Sequence, residues 1–109
     1  MQHMEFIETK QFAALLYDYL DDDSYLDLQI CLIERPDRGD IIKGSGGIRK
    51  LRFAAQGKGK SGGVRVIYYW VTDAGQIYLL TIYPKSRKDT LTDAEVAELR
   101  DTVKEIRHG

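Results

Sequence analysis

Apolar residues near the start of the chain recur at the spacing of an α-helix that buries one face. They occupy positions i, i+3, i+4, i+7 and i+8 of one stretch: Phe12, Leu15, Leu16, Tyr19 and Leu20. Thr9 lies just before this stretch, and its hydroxyl can cap the first turn. The pattern predicts a helix that begins after Thr9, preceded by a short strand at residues 6–8.

A second amphipathic stretch follows a run of acidic residues. Residues 21–24 read Asp-Asp-Asp-Ser, and such residues favour a helix N-terminus, where free N–H groups and the helix dipole attract negative charge. The predicted buried stripe of this helix comprises Leu26, Ile30 and Ile33, widened by Leu28 and Leu32. Pro36 ends the helix, because proline disfavours helical geometry in the preceding residue. The short connection predicts an antiparallel pair of helices.

The hydrophobic period changes to two in the middle of the chain, which predicts β-strands. Over residues 48–53, Lys50 and Arg52 fall on one face, whereas Leu51 and Phe53 fall on the other. We therefore expect a strand with one charged face and one buried face.

Two further strands are predicted after a glycine-rich loop at residues 57–63. Residues 64–72 are β-branched or aromatic and apolar on both faces, which is typical of a central strand. A turn at residues 73–75 returns the chain over residues 77–83, and Pro84 ends that strand. The pattern predicts a hairpin.

The last predicted helix begins with a capping box, Thr92-x-x-Glu95. The apolar residues that follow share one helical face: Val96, Leu99, Val103 and Ile106. The order of elements is therefore helix, helix, three or four mainly antiparallel strands, and helix. It predicts a single α+β domain over residues 1–109, with two N-terminal helices and a C-terminal helix on one side of the sheet.

Charge is strongly segregated along the chain, although the net charge is only −1. Residues 1–42 hold three Lys/Arg and ten Asp/Glu, residues 43–88 hold ten and one, and residues 89–109 hold three and six. The corresponding balances are −7, +9 and −3. The basic middle predicts an anion-binding surface; the alternative is that oppositely charged segments simply neutralise each other in the fold.

Residue type and spacing argue against several common chemistries. Cys31 lies inside an apolar helical pattern, which predicts a small buried residue and not a nucleophile. His3 and His108 lie near the chain ends, and no cluster has metal-ligand spacing, so we expect no metal or cofactor. The Gly-Lys-Gly-Lys-Ser stretch at residues 57–61 lacks the earlier glycine of a nucleotide-binding P-loop and precedes a strand. The chain has no membrane-length apolar run or signal-peptide pattern, so we expect a cytoplasmic protein.

The remaining candidates for chemistry are carried by neighbouring strands. They are four cations and a tyrosine: Lys50, Arg52, Arg65, Lys85 and Tyr83. Like charges clustered on one sheet face repel, and guanidinium groups bind phosphate oxygens through paired donors, so a phosphodiester is the predicted ligand. Tyr83, Tyr69 or Tyr78 can stack on an extruded base. Taken singly, each cation is more often a surface charge and each tyrosine a packing residue.

Three motifs together carry a family resemblance. They are Gly44-x-Gly46-Gly47-Ile48-Arg49-Lys50-Leu51-Arg52, Gly57-Lys58-Gly59-Lys60-x-Gly62-Gly63-x-Arg65-Val66-Ile67-Tyr68-Tyr69 and Tyr78-Leu79-Leu80-Thr81-Ile82-Tyr83-x-Lys85. They resemble the HigB-like branch of the RelE toxin family, and the likeness extends over essentially the whole chain. Each glycine stretch alone would be a weak motif; the joint pattern is specific.

The resemblance implies a toxin of a type II toxin–antitoxin system. Such a toxin is encoded beside an antitoxin, often a helix-turn-helix protein, and cuts mRNA on the translating ribosome, which inhibits translation. The implied mechanism is independent of metal: the 2′-hydroxyl attacks the neighbouring phosphate and leaves a 2′,3′-cyclic phosphate.

The resemblance also implies roles for individual residues. The basic strand residues of the family fall on Lys50 and Arg52, the arginine after its glycine pair on Arg65, and the basic residue past the last strand on Lys85. Some members carry a tyrosine where this chain has Leu91, so base stacking is assigned to Tyr83. Which cation acts as base and which as acid stays open. The predicted RNA-binding residues are Arg49, Lys58, Lys60, Tyr83, Arg87 and Lys88.

Two other functions compete with the ribonuclease. ParE-type toxins share the fold and inhibit DNA gyrase by binding it, but they need no phosphate cleft, so the joint presence of the four cations argues against that function. A non-catalytic RNA-binding module would need only the basic sheet. Codon preference, the identity of the antitoxin and the oligomeric state stay open.

Overall fold

The computed structural model describes residues 3–54, 63–87 and 90–108, which form three helices and five strands. The elements are β1 (Glu5–Glu8), α1 (Lys10–Tyr19), α2 (Asp22–Glu34), β2 (Asp40–Ile41), β3 (Arg49–Phe53), β4 (Val64–Val71), β5 (Gln76–Pro84) and α3 (Asp93–His108). The predicted α+β class is confirmed.

Polar side chains cap the helices as the sequence predicts. In the capping box of α3, Thr92 N–H donates to Glu95 Oε1 at 2.8 Å, and Glu95 N–H donates to Thr92 Oγ1 at 3.2 Å. Thr9 Oγ1 accepts from Phe12 N–H at 3.1 Å, and the Asp21 carboxylate caps α2. These contacts satisfy N–H groups that a helix leaves without an internal partner.

The strands form one mixed sheet in the order β1-β5-β4-β3-β2. The predicted β4–β5 hairpin is antiparallel, as are β3–β4 and β2–β3, whereas β1 pairs parallel with β5. The sequence predicts three or four mainly antiparallel strands and does not reveal β2, which is too short to show an alternating pattern.

Helices cover both faces of the sheet, so the prediction that they lie on one side is wrong. Adjacent β4 residues Val66 and Ile67 point to opposite faces, and both are fully buried. Val66 packs with α1 and α2, whereas Ile67 packs with Val103 of α3. The signal was present in the sequence, because a strand that is apolar on both faces requires cover on both faces.

The predicted buried stripe of α2 is confirmed for Leu28 and Leu32 and wrong for its other three members. Leu26, Ile30 and Ile33 are 54%, 44% and 40% exposed. The residues that α2 buries are Ser24, Tyr25, Leu28 and Leu32. The helix is apolar on two opposite sides, and only one side can face the sheet.

Among the described residues, no helix combines the length and the apolar character that crossing a bilayer requires.

Candidate functional site

Neighbouring strands bring several predicted site residues together on the sheet face that α3 partly covers. Arg52 of β3 is the cross-strand partner of Arg65 of β4, which is the partner of Tyr83 of β5. Direct partners in antiparallel strands project from the same face, with Cβ atoms about 4.5–5.5 Å apart. Lys50 lies two residues along β3, opposite Ile67, so it shares this face one step of about 7 Å away. We call Lys50, Arg52 and Arg65 the cationic row.

Exposure differs sharply within the cationic row. Arg65 is only 4% exposed, and its Nη1 donates to the carbonyl oxygen of Val64 at 3.4 Å. Lys50 is half-buried and Arg52 is exposed. Arg65 places the positive charge of its guanidinium group next to that of Arg52, so the two groups repel each other. An anion bound at the row offsets this repulsion, and a phosphate has the charge and oxygen geometry to do so.

Lys85, the fourth predicted catalytic cation, lies at the same end of the sheet as Arg65. Its N–H donates to the carbonyl oxygen of Gly63, just before β4, at 3.2 Å. Arg87 follows in a turn in which its N–H donates to the carbonyl oxygen of Pro84 at 3.1 Å. Both cationic side chains are exposed. The fold therefore supplies exposed positive charges beside the buried Arg65.

A cleft of about 190 Å³ opens beside this end of the row, between α1 and α3. The cleft exists because the β1–β5 pairing ends at Leu79 and leaves the edge of the following β5 residues without a neighbouring strand. Gln11 of α1 donates from Nε2 to Thr81 Oγ1 at 3.0 Å on one wall. Arg87 and Glu98 also line it. Sequence reasoning missed Gln11 and Glu98, since nothing local indicates that α1 and α3 line one cleft at the edge of β5.

Tyr83 does not present its ring for base stacking. It is 5% exposed and packs in the core beneath α3 with Ile48, Ile67 and Leu80. Its predicted stacking role is therefore corrected: the ring stabilises the sheet face that carries the cationic row. The half-buried partners Tyr69 and Tyr78 line a separate groove of about 590 Å³, which Arg107 of α3 also lines.

Arg49, predicted to bind RNA, lies on the other face of the sheet. It is the cross-strand partner of Tyr68, whose ring belongs to the core beneath α1 and α2. Arg49 Nη1 donates to the carbonyl oxygens of Asp37 and Gly39 at 3.1 and 2.7 Å. The side chain therefore stabilises the loop after α2 through hydrogen bonds and is not part of the cationic row. The other predicted RNA-binding lysines, Lys58, Lys60 and Lys88, lie outside the described residues.

The described residues contain no cluster of metal-ligand type. In residues 3–54, 63–87 and 90–108, no group of three or more His, Cys, Asp and Glu could hold a metal ion. Cys31 is half-buried and packs against the core beneath α1 and α2, and His3 is exposed. The cationic row and Lys85 are thus the arrangement with the clearest chemistry: they can bind a phosphodiester and stabilise added negative charge on it.

Comparison of the sequence with known protein families identifies the family of this chain. A family model described as the RelE toxin of the RelE / RelB toxin–antitoxin system matches residues 8–108. The chain belongs to the RelE toxin family. The resemblance in the three motifs is thereby confirmed, and assignment to the HigB-like branch stays a prediction.

Two solved structures share the RelE fold with this chain. The toxin RelE from E. coli, in a free mutant with two arginines changed to alanine, matches with a TM-score of 0.59 at 12% identity, over 93% of this chain and 97% of that chain. A chain of the archaeal RelE–RelB complex from Pyrococcus horikoshii OT3 matches with a TM-score of 0.53 at 22% identity, over 80% and 100%. At these identities the likeness establishes the fold.

Proposed function

We propose that this chain is a ribosome-dependent endoribonuclease that cuts mRNA at the cationic row. The observation that carries the proposal is the buried Arg65 beside Arg52, on a sheet face that also presents Lys50. Keeping two guanidinium groups adjacent opposes folding, whereas it favours binding of a phosphate whose negative charge increases during reaction. A toxin that only bound another protein would not need this arrangement.

The reaction needs a proton transfer at each end of the scissile bond. A base removes the proton of the 2′-hydroxyl, the 2′-oxygen bonds to phosphorus, and the bond from phosphorus to the 5′-oxygen breaks. The products are a 2′,3′-cyclic phosphate and a 5′-hydroxyl, which takes a proton from an acid. In this mechanism Arg65 and Arg52 stabilise the charge on the equatorial oxygens, and Lys50 and Lys85 are the candidates for proton transfer.

The ribosome supplies the geometry that this small site lacks. The attacking 2′-oxygen must lie in line with the departing 5′-oxygen, and such positioning can provide about 7–11 kcal/mol of a reaction barrier. In the described part of the chain, the cleft beside the row has a volume of only about 190 Å³, which is small for orienting several nucleotides of flexible RNA. We therefore expect slow or no cutting of free RNA and rapid cutting of the codon held in the ribosomal A site.

The proposed partners are the translating ribosome, mRNA and a cognate antitoxin. We infer an antitoxin because the chain belongs to the RelE toxin family and because one of the similar solved structures is a RelE–RelB complex. We expect it to contain a helix-turn-helix DNA-binding domain and to act with the toxin in the cytoplasm. Sequencing the adjacent reading frame tests this directly, since a short helix-turn-helix gene supports the pairing and an isolated gene contradicts it.

Mapping transcript ends after brief induction tests the proposed activity. New ends at codon boundaries, with 5′-hydroxyl and 2′,3′-cyclic phosphate groups, support it. In a translating extract, 2′-methoxy substitution at the A-site codon should block cutting while binding persists, because the phosphates are unchanged. Intact mRNA with DNA damage would favour a gyrase inhibitor, and ribosomes stalled on uncut mRNA would favour a non-catalytic RNA binder.

A further inference from the structure

The outer side of α2 carries three exposed aliphatic residues, Leu26, Ile30 and Ile33, which we call the α2 stripe. Their spacing is i, i+4 and i+7, so at 3.6 residues per turn they fall within about 60° of one another around the helix. The buried Leu28 and Leu32 lie on the opposite side, where α2 packs on the sheet. The α2 stripe is therefore a second apolar face and not the rim of the core.

Such a continuous stripe differs from the scattered apolar residues that every surface contains. Isolated exposed aliphatic residues are ordinary, whereas contiguous ones mark sites where another molecule binds. From Leu26 to Ile33 the α2 stripe runs for about 10 Å along the helix axis. This length matches roughly two turns of a partner helix packed alongside it.

An acidic edge borders the α2 stripe on one side. Asp23, Asp27 and Glu34 are exposed and fall within about 40° of one another around α2, directly beside the aliphatic residues. These carboxylates repel nucleic acid phosphates and attract lysine or arginine. Within α2 there is no Lys or Arg, and the flanking Arg35 is already paired with Asp37 at 3.7 Å, so a second copy packed stripe against stripe offers few cations to this edge.

We infer that the α2 stripe docks an amphipathic helix of a protein partner, with aliphatic residues on one face and Lys or Arg along one edge. The aliphatic residues supply the buried area, and the acidic edge sets the register and orientation. The docked helix lies on the far side of the sheet from the cationic row, because α2 packs on the face opposite Lys50 and Arg52. Given the proposed function, the chain can therefore bind this helix and RNA at the same time.

Titration of the isotope-labelled full chain with two synthetic helical peptides tests the inference. Both peptides carry a leucine face and exceed the roughly 15 residues below which isolated helices are marginal; one has a lysine edge and the other a glutamate edge. The lysine-edge peptide should shift the amide signals of Leu26, Ile30 and Ile33. Leu26→Gln with Ile30→Gln should weaken its binding at least tenfold, and these exposed sites tolerate glutamine within the helix. Ile41→Gln, at an exposed aliphatic residue of β2, should leave binding unchanged.

Reversing the charge of the acidic edge distinguishes specific docking from non-specific hydrophobic binding. Asp27→Lys with Glu34→Lys should reverse the preference, so that the glutamate-edge peptide binds better than the lysine-edge peptide. Equal binding of both peptides, or shifts centred outside α2, would overturn the inference. Stripe-dependent self-association in sedimentation would identify a second copy as the occupant instead. Competition between the peptide and an RNA oligonucleotide would also contradict it. None of these outcomes depends on mRNA cutting.

Discussion

Arg52 and Arg65 are direct cross-strand partners, so two guanidinium-bearing side chains project side by side from the same sheet face. Like charges placed this way destabilise a strand pair by up to about 1 kcal/mol. Arg65 is moreover buried, which makes its charge harder to screen by solvent. This repulsion is a term that opposes folding, and a phosphate bound at the pair offsets it.

Replacing Arg65 should separate activity from stability. We expect Arg65→Met to lower the rate of mRNA cutting by about 10²–10³, because one oriented charge is lost from a phosphoryl-transfer site. The free energy of unfolding should change by only about 1 kcal/mol, since relief of the repulsion from Arg52 offsets the lost hydrogen bond to the Val64 carbonyl. Cleavage assays in a translating extract and urea unfolding measure the two effects.

Arg49→Met is the matched control, because Arg49 neighbours the row in sequence and faces the other side of the sheet. It should lower stability by about 1–3 kcal/mol through the loss of hydrogen bonds to Asp37 and Gly39, and keep the cutting rate. If Arg65→Met cuts mRNA normally, or Arg49→Met cuts as poorly as Arg65→Met, the catalytic site is misassigned.

Removing one hydroxyl should destabilise the loop between α2 and β2. Tyr68 Oη donates to the carbonyl oxygen of Pro36 at 2.7 Å and accepts from the buried Gly39 N–H at 2.8 Å. Tyr68→Phe leaves that N–H buried without an acceptor, so we expect a loss of about 1–3 kcal/mol in the free energy of unfolding. Tyr17→Phe, at a side chain 63% exposed, should change it little. Equal urea midpoints for the two variants would contradict the proposed role of the hydroxyl.

Stability should fall at alkaline pH because two tyrosines must stay protonated. Burial raises the pKa of Tyr25, and its hydrogen bond to the Glu8 carboxylate, at 2.6 Å, raises it further. Burial likewise raises the pKa of Tyr68. A raised pKa in the folded state gives a stabilisation that is complete below the unfolded value of about 10 and is lost as the pH rises beyond it. Urea midpoints should therefore fall above about pH 10, and fall less in Tyr25→Phe; an identical fall in that variant would refute the assignment.

The affinity for RNA should decrease steeply with salt. Each phosphate contact to single-stranded RNA contributes about −0.7 to the slope of log affinity against log salt concentration. We expect Arg52→Gln to reduce the slope by about that amount, whereas Arg35→Gln, an exposed arginine after α2, should not change it. Replacing Lys58 and Lys60 together should also flatten the slope and leave part of the cutting activity. A salt-independent affinity would contradict RNA binding as the reason for the excess of positive charge in residues 43–88.

The sequence by itself determined the features that depend on near neighbours along the chain. Thr92 and Glu95 form their capping box because both partners lie within one helical turn. Lys50 and Arg52 share a face, opposite Leu51, because alternation along a strand is a property of the backbone. The same alternation already places Arg49 on the other face.

Only the tertiary structure decided which residues from distant elements meet. The register that sets Arg52 against Arg65, and Arg65 against Tyr83, depends on pairing between separate strands. The burial of Tyr83 depends on α3 crossing that face. In α2, apolar residues lie on two opposite sides, so the local pattern is satisfied whether Leu26 or Leu28 is buried. Packing against the sheet selects Leu28 and leaves Leu26 in solvent, because the free energy of burial comes from partners that the local sequence does not contain.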